Sequence, residues 1–154
     1  MAKKYVTEKP VQLNTQLSSD DFSRADIRFH EVDHSGATFE ARVFLNNQAA
    51  DEKTPTTPDS GYAGSFHIFG HGGCFGDAGH CDVPEHRRPH DLRPDHPLIP
   101  AEKAVTITAA LKRALQNGPN VHVTVVPVIM SANDKSDTEA PLKFRDFEIV
   151  TYAA

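Results

Sequence analysis

The sequence has no tryptophan, only two cysteines and two methionines, and no long apolar run. A bilayer-spanning helix needs about 20 consecutive apolar residues. Nothing here approaches that length, so no membrane span is expected. The opening MAKKYVTEKP has two lysines but no apolar segment behind them, which does not fit a secretory signal. The chain is therefore expected in the cytoplasm, where cysteines default to thiols, ligands or redox groups. Clustered positive charge is scarce as well. Net charge is −5, and the only basic cluster, Arg87-Arg88, sits among acids and histidines. A phosphate-binding surface needs grouped Lys and Arg, so no nucleic-acid partner is expected. Three signatures are missing. No C-x-x-C pair occurs, GHGG is not followed by Lys-Ser/Thr, and Met130 is the only internal methionine. Their absence removes the strongest zinc signature, a phosphate loop and a well-placed axial ligand for an electron-transfer copper site.

What is present is the composition of a globular protein: 38% hydrophobic and 24% charged residues over 154 positions. One domain over residues 1–154 is expected. A chain of this size can bury roughly two-thirds of its unfolded surface, so it needs neither disulfide nor metal merely to fold. Nine histidines stand out, six of them between His67 and His96, beside eleven prolines and nine glycines.

Strand patterns dominate. ADIRFHEV (25–32) places Ile27 and Phe29 on alternate positions, and TFEARVFLN (38–46) alternates Phe39, Ala41, Val43 and Leu45 against Glu40 and Arg42. Around the polar turn DHSG these two runs predict a β-hairpin. YAGSFHIFG (62–70), KAVTIT (103–108), NVHVTVVPVIM (120–130) and LKFRDFEIVTY (142–152) read as further strands, and YVTEKPVQLNTQL is one more candidate. Pro127 implies an edge, a bulge or a strand end. Thr108 is placed to cap a short helix over 109–116, with Leu111 and Leu115 buried and Gly118 just past its end. Residues 70–100 show no periodicity and form a long inserted loop rich in His, Cys, Gly and Pro. The expected fold is all-β: an antiparallel, jelly-roll-like β-sandwich with one short helix and a long His/Cys-rich loop.

The order FEARVFLNN, polar loop, YAGSFHIFGH, variable insert, VTITAALKRAL, VHVTVVPV and FEIVTY resembles the C-terminal β-sandwich domain of plant-type polyphenol oxidases and related bacterial tyrosinases. The matching pieces lie at 39–46, 63–71, 123–128 and 147–152. In that family the sandwich shields a type-3 copper site until it is displaced or cleaved. The copper site itself uses two sets of three histidines on a helical bundle, and no segment here could carry them, so the oxidase activity does not carry over. The resemblance implies a tyrosinase-like oxidase as partner. Oligomeric state is not legible.

The His/Cys-rich insert departs from the family pattern, and there the ligand chemistry collects. His67, His71, Cys74, His80, Cys81 and His86, with His90 and His96 behind them, are the candidate ligands. Imidazole and thiolate together suit copper and zinc. On a strand, His67 and His71 would share a face, and glycines at 70, 72, 73, 76 and 79 would let both cysteines fold back toward them. The expectation is a metal-binding accessory or copper-handling protein, with copper favoured over zinc. The alternatives are a free-standing copper-dependent oxidative enzyme using the same loop, or a metal-free interaction module closed by a Cys74–Cys81 disulfide. A Cys74 nucleophile served by His71 or His80 is a weaker pattern. His30, His34 and His122 read as ordinary strand or turn residues.

Overall fold

A computed structural model of the chain describes residues 1–13, 17–71, 89–90, 99–132 and 136–153. These form β1 (Tyr5–Val6), β2 (Val11–Gln12), β3 (Phe22–Val32), β4 (Thr38–Leu45), β5 (Tyr62–Ile68), β6 (Ala101–Thr106), α1 (Thr108–Leu115), β7 (Asn120–Val121), β8 (Val123–Ser131) and β9 (Asp146–Ala153). One sheet has the order β1-β8-β4-β5 and the other β6-β3-β9, with a small β2-β7 pair beside them. Every pairing is antiparallel. The all-β sandwich with one short helix is thus the observed architecture.

Alternation decides which side chains meet between the sheets. β3 buries Ala25, Ile27 and Phe29, while β4 buries Phe39, Ala41 and Val43. Phe29 sits at the centre, its ring 5.0 Å from Phe66, 5.3 Å from Phe144 and 5.9 Å from Phe147. Burying one such side chain is worth about 1.5–3 kcal/mol. Across the core, α1 buries Ala110, Leu111 and Ala114.

The expected hairpin between β3 and β4 is not formed. β3 pairs with β6 and β9, and β4 pairs with β5 and β8. A bulge interrupts β3 between Phe29 and Val32, where Glu31 takes a positive φ of 53°. The chain then leaves its sheet: Asp33 N–H donates to the Lys143 carbonyl at 2.9 Å, and the Asp33 carboxylate accepts the Ser35 N–H at 2.8 Å. DHSG is a turn, as its residues imply, but it links the two sheets. Two alternating runs look the same whether they pair side by side or face each other across a core.

Smaller differences have local causes. Thr108 does not cap α1 from outside. It is the first helical residue, and its hydroxyl accepts the Ala25 N–H at 3.0 Å, tying the helix to β3. Pro127 lies within β8 opposite Ala41, beyond the end of β1, so β8 is locally an edge there. The last strand starts at Asp146 instead of residue 142, although Leu142 and Phe144 still pack on the core.

The two glycines flanking FHIF are both at close approaches. Gly64 has φ of 144°, and a Cβ there would lie 2.6 Å from Val105 Cγ1. This is where β5 meets β6 and the sandwich closes along one side. A Cβ on Gly70 would lie within 2.2 Å of the Gly36 carbonyl oxygen, so the chain leaving β5 passes directly against the β3–β4 turn.

Candidate functional site

One end of the sandwich gathers the candidate residues. The end of β3, the start of β4, the ends of β5 and β8, and the starts of β6 and β9 converge there. His67 is on β5, opposite Glu40 of β4, and is exposed. Glu40 is only partly exposed. Burial pushes its carboxyl up, but hydrogen bonds from Arg42 and Ser65 outweigh this and hold it below the usual carboxylate range. The Glu40–Arg42 pair spans 2.8 Å.

His71 does not share a strand face with His67. β5 stops at Ile68, and Gly70 donates its N–H to Thr38 Oγ1 at 3.0 Å as the chain turns over the β3–β4 connection. His71 N–H then donates to the His34 carbonyl at 2.8 Å. The two imidazoles meet with Nδ1 atoms 3.0 Å apart, and His34 Nε2 lies 2.5 Å from the Ile99 carbonyl oxygen. A carbonyl only accepts, so in the neutral pair His34 carries its hydrogen on Nε2. Its Nδ1 therefore accepts from His71 Nδ1–H. His34 thereby clasps His71 and Ile99, which stand at the two ends of the 70–100 insert.

These contacts correct the metal expectation. Among the described residues, no group of three or more His, Cys, Asp or Glu side chains could hold a metal ion. The physical reason is that the strand periodicity invoked for His67 and His71 ends before His71, whose imidazole is engaged with His34 instead. Copper or zinc binding, a copper-handling role and a copper-dependent oxidative enzyme built on the 67–81 loop are withdrawn with it. Cys74, His80, Cys81 and His86 lie outside the described residues, as does His96. No cysteine lies among the described residues, so the Cys74–Cys81 module is not supported either, and the Cys74 nucleophile falls outside them too.

The same end has two features that the sequence reading missed. One is an ionic network across β6, β3 and β9. His30 Nδ1 lies 2.6 Å from Glu102 and its Nε2 3.4 Å from Glu148. The hydrogen bond that His30 donates to Glu102 raises its imidazole above the ordinary value, and the bond accepted from the Glu31 N–H, with that from His30 next, lowers Glu102. Arg145 adds ion pairs to Glu31 at 2.6 Å and Asp146 at 3.2 Å. Exposed pairs of this kind contribute little to stability. The register of three distant segments creates this network, so no local signal announces it.

The other feature is apolar. Phe69 is 78% exposed, Ile99 70% and Met130 61%. Phe69 and Met130 follow the β5 and β8 residues paired to Phe39, so they flank β4 on both sides near Thr38. Ile99 is held close by His34. Single exposed hydrophobics are ordinary; Phe69 and Met130 on either side of β4, with Ile99 at the same end, are the apolar groups there suited to a protein partner. A signal for Phe69 was available: its position on the polar face of FHIFG, opposite Phe66 and Ile68.

No family model matches the chain, and no curated protein matches it in sequence. Solved structures do match in fold. A recombinantly expressed latent aurone synthase (polyphenol oxidase) superposes with a TM-score of 0.50 at 17% identity, covering 98% of this chain and 24% of that one. The same kind of protein co-crystallized with hexatungstotellurate(VI) gives 0.50 at 15% identity over 99% and 24%. The chain thus spans about a quarter of the length of those polyphenol oxidases, and the likeness is one of fold.

Proposed function

We propose that this chain is a protein-docking β-sandwich that seats on a tyrosinase-like oxidase and restrains its access to phenolic substrate. The observation that carries this reading is the exposed pair Phe69 and Met130 on either side of β4, with exposed Ile99 bound through its carbonyl by His34 at the same end. Apolar anchors on a rigid frame with a polar rim are the anatomy of a protein interface. His67, two residues before Phe69 and exposed, is a polar neighbour of these anchors. Two further points support the choice of partner. The polyphenol oxidases matched in fold are latent forms, and the YAGSF and VTVVP segments resemble the domain that shields the copper site in that family.

The test is titration of this chain into a polyphenol oxidase catalytic domain stripped of its own C-terminal region. Binding is followed by calorimetry and diphenol turnover by absorbance. Saturable binding with falling turnover is expected, and Phe69→Ser/Met130→Ser should weaken it at least about tenfold, a loss of ~1.4 kcal/mol. No heat and unchanged turnover at about 100 µM chain, where a Kd up to that value would register, would refute the reading.

A further inference from the structure

Three of the four long-sheet edges are protected. β5 and β6 face each other across the tight Gly64–Val105 contact. β1 is two residues long, and the lysine just before it, Lys4, donates to the Gln48 and Ala50 carbonyls at 2.8 Å. β9 is different. It is eight residues long, lies at the end of the β6-β3-β9 sheet, and contains no Pro, Gly or Lys. Natural edge strands carry Pro, Lys or other charges, or are short or covered, because a bare edge templates another strand; the two charged residues of β9, Asp146 and Glu148, are paired with His30 and Arg28 of β3. On this side of the sandwich Tyr5 of β1 packs edge-on against Phe144 and Phe147 at 5.0 and 6.0 Å, beside a cleft of about 450 Å³.

The backbone direction of β9 follows from β3. Ala25 faces β6, since its carbonyl accepts the Ile107 N–H at 2.8 Å and its own N–H goes to Thr108 Oγ1. The His30 carbonyl faces the other way and accepts Arg145 N–H at 3.0 Å. Successive residues alternate, so Asp26 and Arg28 bond to their partners Val150 and Glu148. Phe147, Ile149 and Thr151 therefore turn their N–H and C=O groups to the free edge. Among the described residues no turn, loop or side-chain hydrogen bond ends on these groups.

We infer that this edge pairs with the same edge of a second copy of the chain. The occupant follows from self-complementarity. An antiparallel pairing centred on Ile149 sets Phe147 opposite Thr151, Glu148 opposite Val150 and Asp146 opposite Tyr152. All three outward donors of each copy then meet carbonyls of the other, paired residues lie on one face, and no acid faces an acid. The product is a continuous sheet of β6-β3-β9 from both copies around a two-fold axis. This surface is the side of the sandwich, separate from the strand-end trio.

The experiment is sedimentation equilibrium of the full chain from about 2 to about 500 µM, a range that brackets micromolar Kd values, with amide hydrogen exchange at both extremes. A monomer–dimer equilibrium is expected, with the amides of Phe147, Ile149 and Thr151 slowing at the high concentration. Thr151→Pro removes an outward N–H and leaves the Val150 and Tyr152 ladder bonds, so it should weaken association at least about tenfold; Thr151→Val should not. Monomer at every concentration overturns the proposal. So does a dimer in which those three amides exchange as fast as in dilute solution, a result that requires no variant to fold.

Discussion

Gly64, in the AGSF run that carries the family resemblance, offers the sharpest test of how the sandwich closes. Gly64→Ala places a Cβ at φ of 144°, 2.6 Å from Val105 Cγ1. An L-residue held in such a backbone region costs about 1–3 kcal/mol. Overpacking adds about 1–3 kcal/mol, because the contact is far inside the 3.5–4.0 Å at which carbon atoms attract. Val105 is buried, and Val105→Ala alone should cost about 1.5–3 kcal/mol in lost apolar burial. In the double variant the clash partner is gone, so the overpacking is relieved while the backbone cost of the alanine and the lost Val105 burial remain. Urea unfolding of the four proteins, followed by far-ultraviolet circular dichroism, gives the cycle. The double variant should be less destabilised than the sum of the singles by about 1–3 kcal/mol. Additivity within about 0.5 kcal/mol, or a Gly64→Ala protein as stable as the parent, would refute a β5–β6 seam at this contact.

Thr124 Oγ1 is fully buried in β8 without a hydrogen-bond partner among the described residues. Thr124→Val should therefore raise stability by about 1 kcal/mol in urea melts, and a loss would show that the hydroxyl is satisfied. His30 makes folding pH-dependent in a direction the geometry sets. Its imidazole is raised by Glu102, so its contribution is full below the unfolded value and fades as pH rises through the folded one. Glu102 is lowered, so its share is lost only as pH falls through its folded value. The melting-temperature gap between parent and His30→Gln should be widest between about pH 4.3 and 6.5, the unfolded values of the two groups, and narrow as pH rises through the raised folded value of His30. A gap independent of pH would break the link to Glu102.

Much of the scaffold was legible residue by residue. ADIRFHEV, TFEARVFL and YAGSFHI each alternate, and Ile27, Phe29, Phe39, Val43, Phe66 and Ile68 are buried as that alternation requires. The helix after residue 107 and the turn at DHSG were legible for the same local reasons. The candidate site was not. The His67–His71 argument extended a strand beyond Ile68, where Gly70 crossing the β3–β4 turn ends the two-residue period. His34 read as a turn residue because the groups it binds, His71 and the Ile99 carbonyl, are remote in sequence. His30, Glu102 and Glu148 likewise come from three strands that only the sheet brings together.

By itself, then, the sequence determined which segments extend, which side of each faces the core, and where glycine and polar residues turn the chain, because those choices depend on neighbours one to four residues away. Tertiary structure alone decided which strands pair, that DHSG bridges two sheets, that His34 binds His71 and Ile99 at the two ends of the insert, and that β9 is the last strand of its sheet among the described residues. Those outcomes depend on competition between distant partners for the same backbone hydrogen bonds and the same apolar core, and a periodic pattern holds no record of which partner wins.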